Sequence, residues 1–196
     1  FALVASDLGI WDAWPIQCRD GAPYTSASGG ELWMALGAPR FDDPDARHGH
    51  ARIHLLRYED SCWVDLGPAM PDGFAPGSRE WSGSAVVDEA TGDVILYFTA
   101  AGRRGDDGLT FEQRMFSARA SLRDDGRLAN WRDLSEVIPP TPEWYMTTTG
   151  GGGIGTIKAY RDPAYFRDPA DGRHHLFFAG SLAGSISAFN GVVGVA

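Results

Sequence analysis

Short apolar runs, each closed off by turn-forming residues, set the rhythm of this chain. ELWMALGA (31–38), ARIHLLRY (51–58), SAVVDE (84–89), DVILYFTAA (93–101), RHHLFFAGS (173–181) and NGVVGVA (190–196) are all of strand length. Between them lie DDPDARHG (42–49), DEATGD (88–93), RDDGR (123–127) and DPADG (168–172), rich in the Asp, Pro and Gly that turns require. TFEQRMFSARASL (110–122) alternates like a strand, and SLRDDGRLANWRDL (121–134) has room for one helical turn at most. No stretch of twelve or more residues keeps a clean helical period. Two runs pair around a polar, Gly-containing turn in SAVVDEATGDVILYFTAA (84–101), and AYFRDPADGRHHLFFAG (164–180) repeats that design. The pattern predicts an all-β protein: a sandwich, a barrel or a propeller. The two hairpins, each with an aromatic-rich second strand, look like propeller blades, although the units are too dissimilar to be called a repeat.

Composition narrows the partners. A formal net charge of −9 makes nucleic acid and anionic membrane poor candidates, because like charges repel. No apolar run is long enough to span a membrane as a helix. Aromatic content is 12%, with seven Trp, which suits a β-rich core and also the stacking of rings on sugar faces. Two cysteines, Cys18 and Cys62, are too few for a disulfide framework or a structural zinc site. They are expected as ordinary thiols, with a single disulfide as the alternative.

Candidate chemistry starts from a repeated tripeptide. Arg-Asp-Pro occurs at 161–163 and again at 167–169. The second copy opens RDPADG, where Pro fixes φ and Gly accepts positive φ, so Asp168 reads as turn chemistry. The first copy, with Asp162, lies at the other end of the strand AYF, where a propeller strand approaches the axis. Two further segments set a carboxylate or hydroxyl beside Trp: IWDAWPIQ (10–17), with Asp12 between Trp11 and Trp14, and REWSGSA (79–85), with Glu80, Trp81 and Ser82. A large ring beside a carboxylate desolvates it and raises its pKa, and a neighbouring arginine lowers it.

In content and order these segments resemble glycoside hydrolase family 68, the levansucrases, inulosucrases and related β-fructofuranosidases. WDAWP (11–15) resembles the family's WDSWP-type nucleophile motif, REWSGSA its EWSGSA motif and YRDP (160–163) its RDP motif. RHGHARIHLLRY (47–58) resembles a segment of the Gram-negative branch, and NGVVGVA a strand just ahead of the family's later catalytic motif. The resemblance implies a five-bladed β-propeller with a deep axial pocket, of which residues 1–196 form a partial catalytic domain, roughly the first half. It implies retaining cleavage of sucrose through a covalent fructosyl-enzyme, with transfer of fructose to water or a growing levan-type fructan. Asp12 would be the nucleophile and Asp162 the transition-state stabiliser, with Trp11, Trp81, Ser82 and Arg161 lining the fructose subsite. Sucrose and fructan oligosaccharides would be the partners, no cofactor is implied, and export from the cytoplasm is inferred from resemblance alone.

The match lacks its proton donor. In the family this is a Glu in a DEIER- or DQTER-like motif beyond the strand that NGVVGVA resembles, and no such motif occurs here. A second Arg near that Glu is missing too. Glu80, Glu136 and Glu143 match no part of it. With Phe1 at one end and an apolar strand-like run at the other, the sequence reads as a piece of a longer domain, inactive by itself. A non-catalytic carbohydrate-binding half-propeller is the alternative, and a related propeller hydrolase acting on arabinan or inulin is a third. The calcium-binding Asp that some Gram-positive members place six positions before the catalytic one corresponds to Thr156, so no metal site carries over. His48, His50 and His54 alternate in a way that would share one strand face, read as solvated rather than metal-binding, with Arg47 and His48 able to reach the pocket rim. Gly150–Gly155 satisfies GxGxxG with no helix after it, and reads as a mobile loop. DDPD (42–45) reads as a solvated turn.

Overall fold

The computed structural model describes residues 4–27, 29–146 and 154–196. Eleven strands and one 3-10 helix make up the regular structure of these residues. β1 (Leu8–Gln17), β2 (Glu31–Pro39), β3 (Arg52–Glu59) and β4 (Cys62–Pro68) form an antiparallel meander. β5 (Arg79–Asp88), β6 (Asp93–Ala101), β7 (Gln113–Leu122) and β8 (Leu128–Glu136) form a second. β9 (Tyr160–Arg167), β10 (His174–Ser181) and β11 (Gly191–Val195) form a third. The first strands of the first two meanders meet in parallel over two residue pairs, Ile16 with Ala85 and Gln17 with Val86, which joins both into one sheet of order β4-β3-β2-β1-β5-β6-β7-β8. Each meander is a propeller blade, and β1, β5 and β9 are the inner strands. The expected all-β propeller architecture is the one observed.

The main core fills the space between the first two blades. Ile16, Leu32, Met34, Ile53, Leu96 and Phe98 are buried there. Burial of one such side chain is worth roughly 1.5–3 kcal/mol relative to exposure. A smaller cluster of Met115, Tyr160 and Phe178 seats the third blade on the second.

Both predicted hairpins are present as β5–β6 and β9–β10, and the alternating run is β7. Residues 121–134 depart from the helical turn that was allowed there. They form the end of β7, a turn closed by the Arg123 amide on the Arg127 carbonyl (2.9 Å), and most of β8. Tertiary packing decides this: Trp131 lies against the main core and donates from Nε1 to the Ala69 carbonyl (2.9 Å). The acidic turn at 42–45 leads into the 3-10 helix Pro44–Gly49, where the Asp43 carboxylate accepts from the Asp45 amide (3.0 Å) as an N-cap. The three histidines therefore do not share a strand face. His48 belongs to the 3-10 helix, His50 packs on Phe41, and only His54, paired with Asp65 (3.1 Å), lies in β3. Cys18 and Cys62 are both free thiols. Residues 150–153 of the glycine run lie outside the described residues. No helix among the described residues is long and apolar enough to cross a membrane.

β9 shares no backbone ladder with the second blade. Side chains take the ladder's place. Gln113 Oε1 accepts from the Tyr160 amide (3.0 Å), and Thr99 Oγ1 accepts from the Asp162 amide (2.9 Å). Ser84 Oγ accepts from the Tyr165 amide and donates to the Pro163 carbonyl, both at 2.8 Å. Gln17 Nε2 donates to the Tyr165 carbonyl (3.2 Å). Ser84→Ala removes one hydroxyl and leaves two backbone groups of β9 unpaired, so it is expected to cost about 1–3 kcal/mol in urea unfolding. A loss below about 0.5 kcal/mol would mean that solvent replaces the clamp.

Candidate active site

The three motifs occupy the three inner strands, and each sits on a β-bulge. Between Trp11 and Trp14, β1 advances three residues while β2 advances two. Between Trp81 and Gly83, β5 advances two while β6 advances one. Between Arg161 and Ala164, β9 advances three while β10 advances two. An extra residue bends the strand locally and re-aims its side chains. Asp12 and Asp162 both take positive φ, 48° and 60°. Asp tolerates this region better than most residues, though at some cost in backbone energy. Gly83 is required next to the second bulge, because a Cβ there would lie 1.9 Å from the Tyr97 carbonyl oxygen.

These bulges turn their side chains into one cleft. Trp11, Asp12, Trp81, Ser82, Arg161 and Asp162 line a single cavity of ≈ 170 Å³ together with Leu36, His48 and Ile157. That is well under the roughly 300–1,000 Å³ of pockets for drug-sized ligands, and suits one small ring. Ser82 Oγ donates to Asp12 Oδ2 (3.1 Å). Arg161 Nε lies 3.3 Å from Asp162 Oδ2. The guanidinium also lies 5.8 Å from the centre of the Trp81 ring and donates to Gln113 Oε1 (3.3 Å). His48 meets Trp81 edge-on at 6.5 Å, and Arg47 stands 4.9 Å over the Trp11 ring without lining the cavity.

The electrostatics are uneven. Desolvation pushes the Asp162 carboxyl up to about 6, with the Arg161 charge opposing and the Asp12 charge adding to the rise. The two carboxyl groups therefore act on each other across the cavity. Glu80 points elsewhere. It is buried, and accepts from Arg52 Nε (3.0 Å) and from the Ile53 amide (2.9 Å), which ties β5 to β3. Burial holds its carboxyl above the ordinary range despite those donors. Its bonds make it a strut between strands and leave it out of the cleft.

All six residues singled out in the sequence meet in this cavity. Leu36 and Ile157 carried no signal there. Leu36 is placed by register alone, opposite Trp11. Thr99 and Gln113, which hold the backbone behind the cavity, were also missed. The one available hint was a hydroxyl in the apolar run ILYFTAA. Asp168 sits in the β9–β10 turn and accepts from the Ala170 amide (2.8 Å), as its turn chemistry predicted. Among the described residues, no group of three or more His, Cys, Asp or Glu is arranged to hold a metal.

A family model described as Levansucrase/Invertase matches residues 1–194. The chain belongs to glycoside hydrolase family 68. Within this family it is 27% identical to a levansucrase of Rahnella aquatilis over 94% of its own length and 46% of that protein. Levansucrase LscA of Pseudomonas savastanoi pv. glycinea is 26% identical, with the same two coverages. Among solved structures, an inulosucrase from Halalkalicoccus jeotgali bound to kestose superposes with a TM-score of 0.85 at 31% identity, over 99% of this chain and 50% of that one. A levansucrase variant of B. megaterium superposes with a TM-score of 0.71 at 23% identity over 92% and 42%, and shows the shared propeller fold. The chain thus spans about half the length of the family members it matches.

Asp162 supplies a pH test of the site. Its folded-state pKa, about 6, stands above the ordinary 3.8. The native state therefore holds a proton that the unfolded chain releases between those values, and stability falls as pH rises from about 4 to about 6. Asp162→Asn removes that cost and suits the positive φ. The variant should exceed the parent by about 1 kcal/mol in urea unfolding at pH 7, a figure discounted for the 41% of the side chain open to water. The gap should close by pH 4, and equal stability of the two proteins at pH 7 would contradict the assignment.

Proposed function

We propose that this chain carries the nucleophile-bearing part of a fructosyl-transfer centre that acts on sucrose. The observation that carries the reading is the joint lining of one cavity by Asp12, Asp162, Trp81 and Arg161 in a family 68 chain. The Asp12 carboxylate attacks the anomeric carbon of the fructosyl unit, the bond to the glucosyl oxygen breaks, and a covalent fructosyl-enzyme forms. Water or a fructan hydroxyl then attacks that carbon, gives its proton to the group that had protonated the glucosyl oxygen, and releases Asp12. Ser82 holds the nucleophile by its 3.1 Å bond and leaves the other oxygen free to attack. The transition state is oxocarbenium-like, so a second fixed carboxylate, Asp162, stabilises it electrostatically without forming a bond. Arg161 donates to sugar hydroxyls from its place over Trp81, and Trp11 and Trp81 supply flat apolar walls.

Departure of the glucosyl oxygen needs a proton from a carboxylic acid about 5–5.5 Å from the nucleophile. Glu80 is engaged with Arg52, and neither Glu136 nor Glu143 lines the cavity. The 196 residues thus bind the fructosyl unit without completing turnover. The kestose bound to the Halalkalicoccus jeotgali inulosucrase supports short fructans as further ligands. Kinship with levansucrases supports a place outside the cytoplasm.

Calorimetry with sucrose tests the reading. Binding is expected, at least about tenfold weaker in Arg161→Ala, the equivalent of about 1.4 kcal/mol, with little free glucose after prolonged incubation. Absence of sucrose binding would overturn the substrate, and steady glucose release by this chain would overturn the missing proton donor.

A further inference from the structure

The bulges in β5 and β9 each leave a backbone group outside the strand ladders. At the first it is the Ser82 carbonyl, and at the second the Asp162 amide. One side chain serves both. Thr99 Oγ1 accepts from the Asp162 amide at 2.9 Å and donates to the Ser82 carbonyl at 3.2 Å. A hydroxyl can do both at once because it is a donor and an acceptor. Thr99 is fully buried in β6 and opposite Trp81, so water does not compete for these bonds. Ser82 in turn donates to Asp12. Hydrogen bonds from the Asp162 amide to Thr99 and from Thr99 to the Ser82 carbonyl are thus joined, through the covalent frame of Ser82, to the bond from its hydroxyl to the Asp12 carboxylate. This connection crosses all three blades and touches every motif.

We propose that Thr99 is a positioning residue that fixes the spacing of the β5 and β9 bulges and, through Ser82, the placement of Asp12 relative to Asp162. Its effect on sugar binding rests on the fructosyl-transfer reading, whereas its effect on the backbone does not. Valine at this position keeps the branched shape and cannot bond either group. Serine keeps the hydroxyl and loses only a methyl.

The test compares Thr99→Val and Thr99→Ser with the parent chain by amide hydrogen exchange and by sucrose calorimetry. In Thr99→Val the Asp162 amide should exchange at least about tenfold faster, with amides in the middle of β7 changed by less than about threefold. Sucrose affinity should fall at least about tenfold, and Thr99→Ser should restore both quantities to within about threefold. Unchanged exchange at Asp162 in Thr99→Val overturns the proposal, as does a Thr99→Ser variant as impaired as Thr99→Val. If Thr99→Val does not fold, Thr99→Ala takes its place with the same expectations. If the parent chain binds no sucrose, the fructosyl reading falls, and the exchange measurement alone decides the role of Thr99.

Discussion

The third blade is fastened to the second by side chains, and the site depends on that fastening. A strand buried against a neighbour ordinarily satisfies its amides and carbonyls through a ladder. β9 has a ladder only toward β10. Toward the second blade, Gln113, Thr99 and Ser84 bond its backbone at Tyr160, Asp162, Pro163 and Tyr165. These three polar residues meet the requirement point by point. All three are buried, so each bond forms where an unpaired backbone group costs most.

Freedom from a ladder on that side leaves room for the bulge at the end of β9 that lines the cleft. The same holds for β1 and β5, whose mutual pairing is confined to two residue pairs beyond the bulges. Inner strands that paired along their whole length would be held straight and would present alternate side chains in register. Here each strand is irregular at its motif and regular beyond it. The irregular ends converge on the cleft, and the regular parts supply the core. Positive φ at Asp12 and Asp162 is local strain of the sort held at functional sites by a surrounding structure that over-determines it.

This division explains what the sequence disclosed. Strands and hairpins were legible because one face of each run packs on the core, as in DVILYFTAA, and turn residues bound it. Asp168 was separable from Asp162 because Pro and Gly beside it fix a turn. The six cavity residues were legible through motif resemblance, since bulges that re-aim side chains have no periodic signature. The misread segments were those decided by distant partners. Trp131 makes 121–134 a hairpin by reaching Ala69, and the Asp43 cap winds His48 into a 3-10 helix instead of a strand. Thr99, Ser84 and Gln113 look like ordinary strand residues, because their value lies in the backbone of another blade.

On the fructosyl-transfer reading, the charge balance of the cleft has a functional logic. Two carboxylates share one cavity, and Arg161 pairs with Asp162 alone. Arg161 is held by Gln113 and Trp81 as well, so it cannot swing to neutralise both acids. Negative charge in the cleft is therefore only partly relieved: burial above all, joined by repulsion from Asp12 and opposed by Arg161, holds the Asp162 carboxyl near 6. A neutral sugar entering the cleft leaves most of this repulsion in place. Positive charge that develops at the anomeric carbon relieves it. The relief is greatest at the transition state, where an interaction must strengthen to accelerate a reaction. A site that neutralised Asp162 fully in the resting protein would be more stable and would have less left to offer the oxocarbenium ion. The raised carboxyl, the single committed arginine and the rigid side-chain fastening of β9 thus belong together: the repulsion is useful only if the two acids cannot move apart.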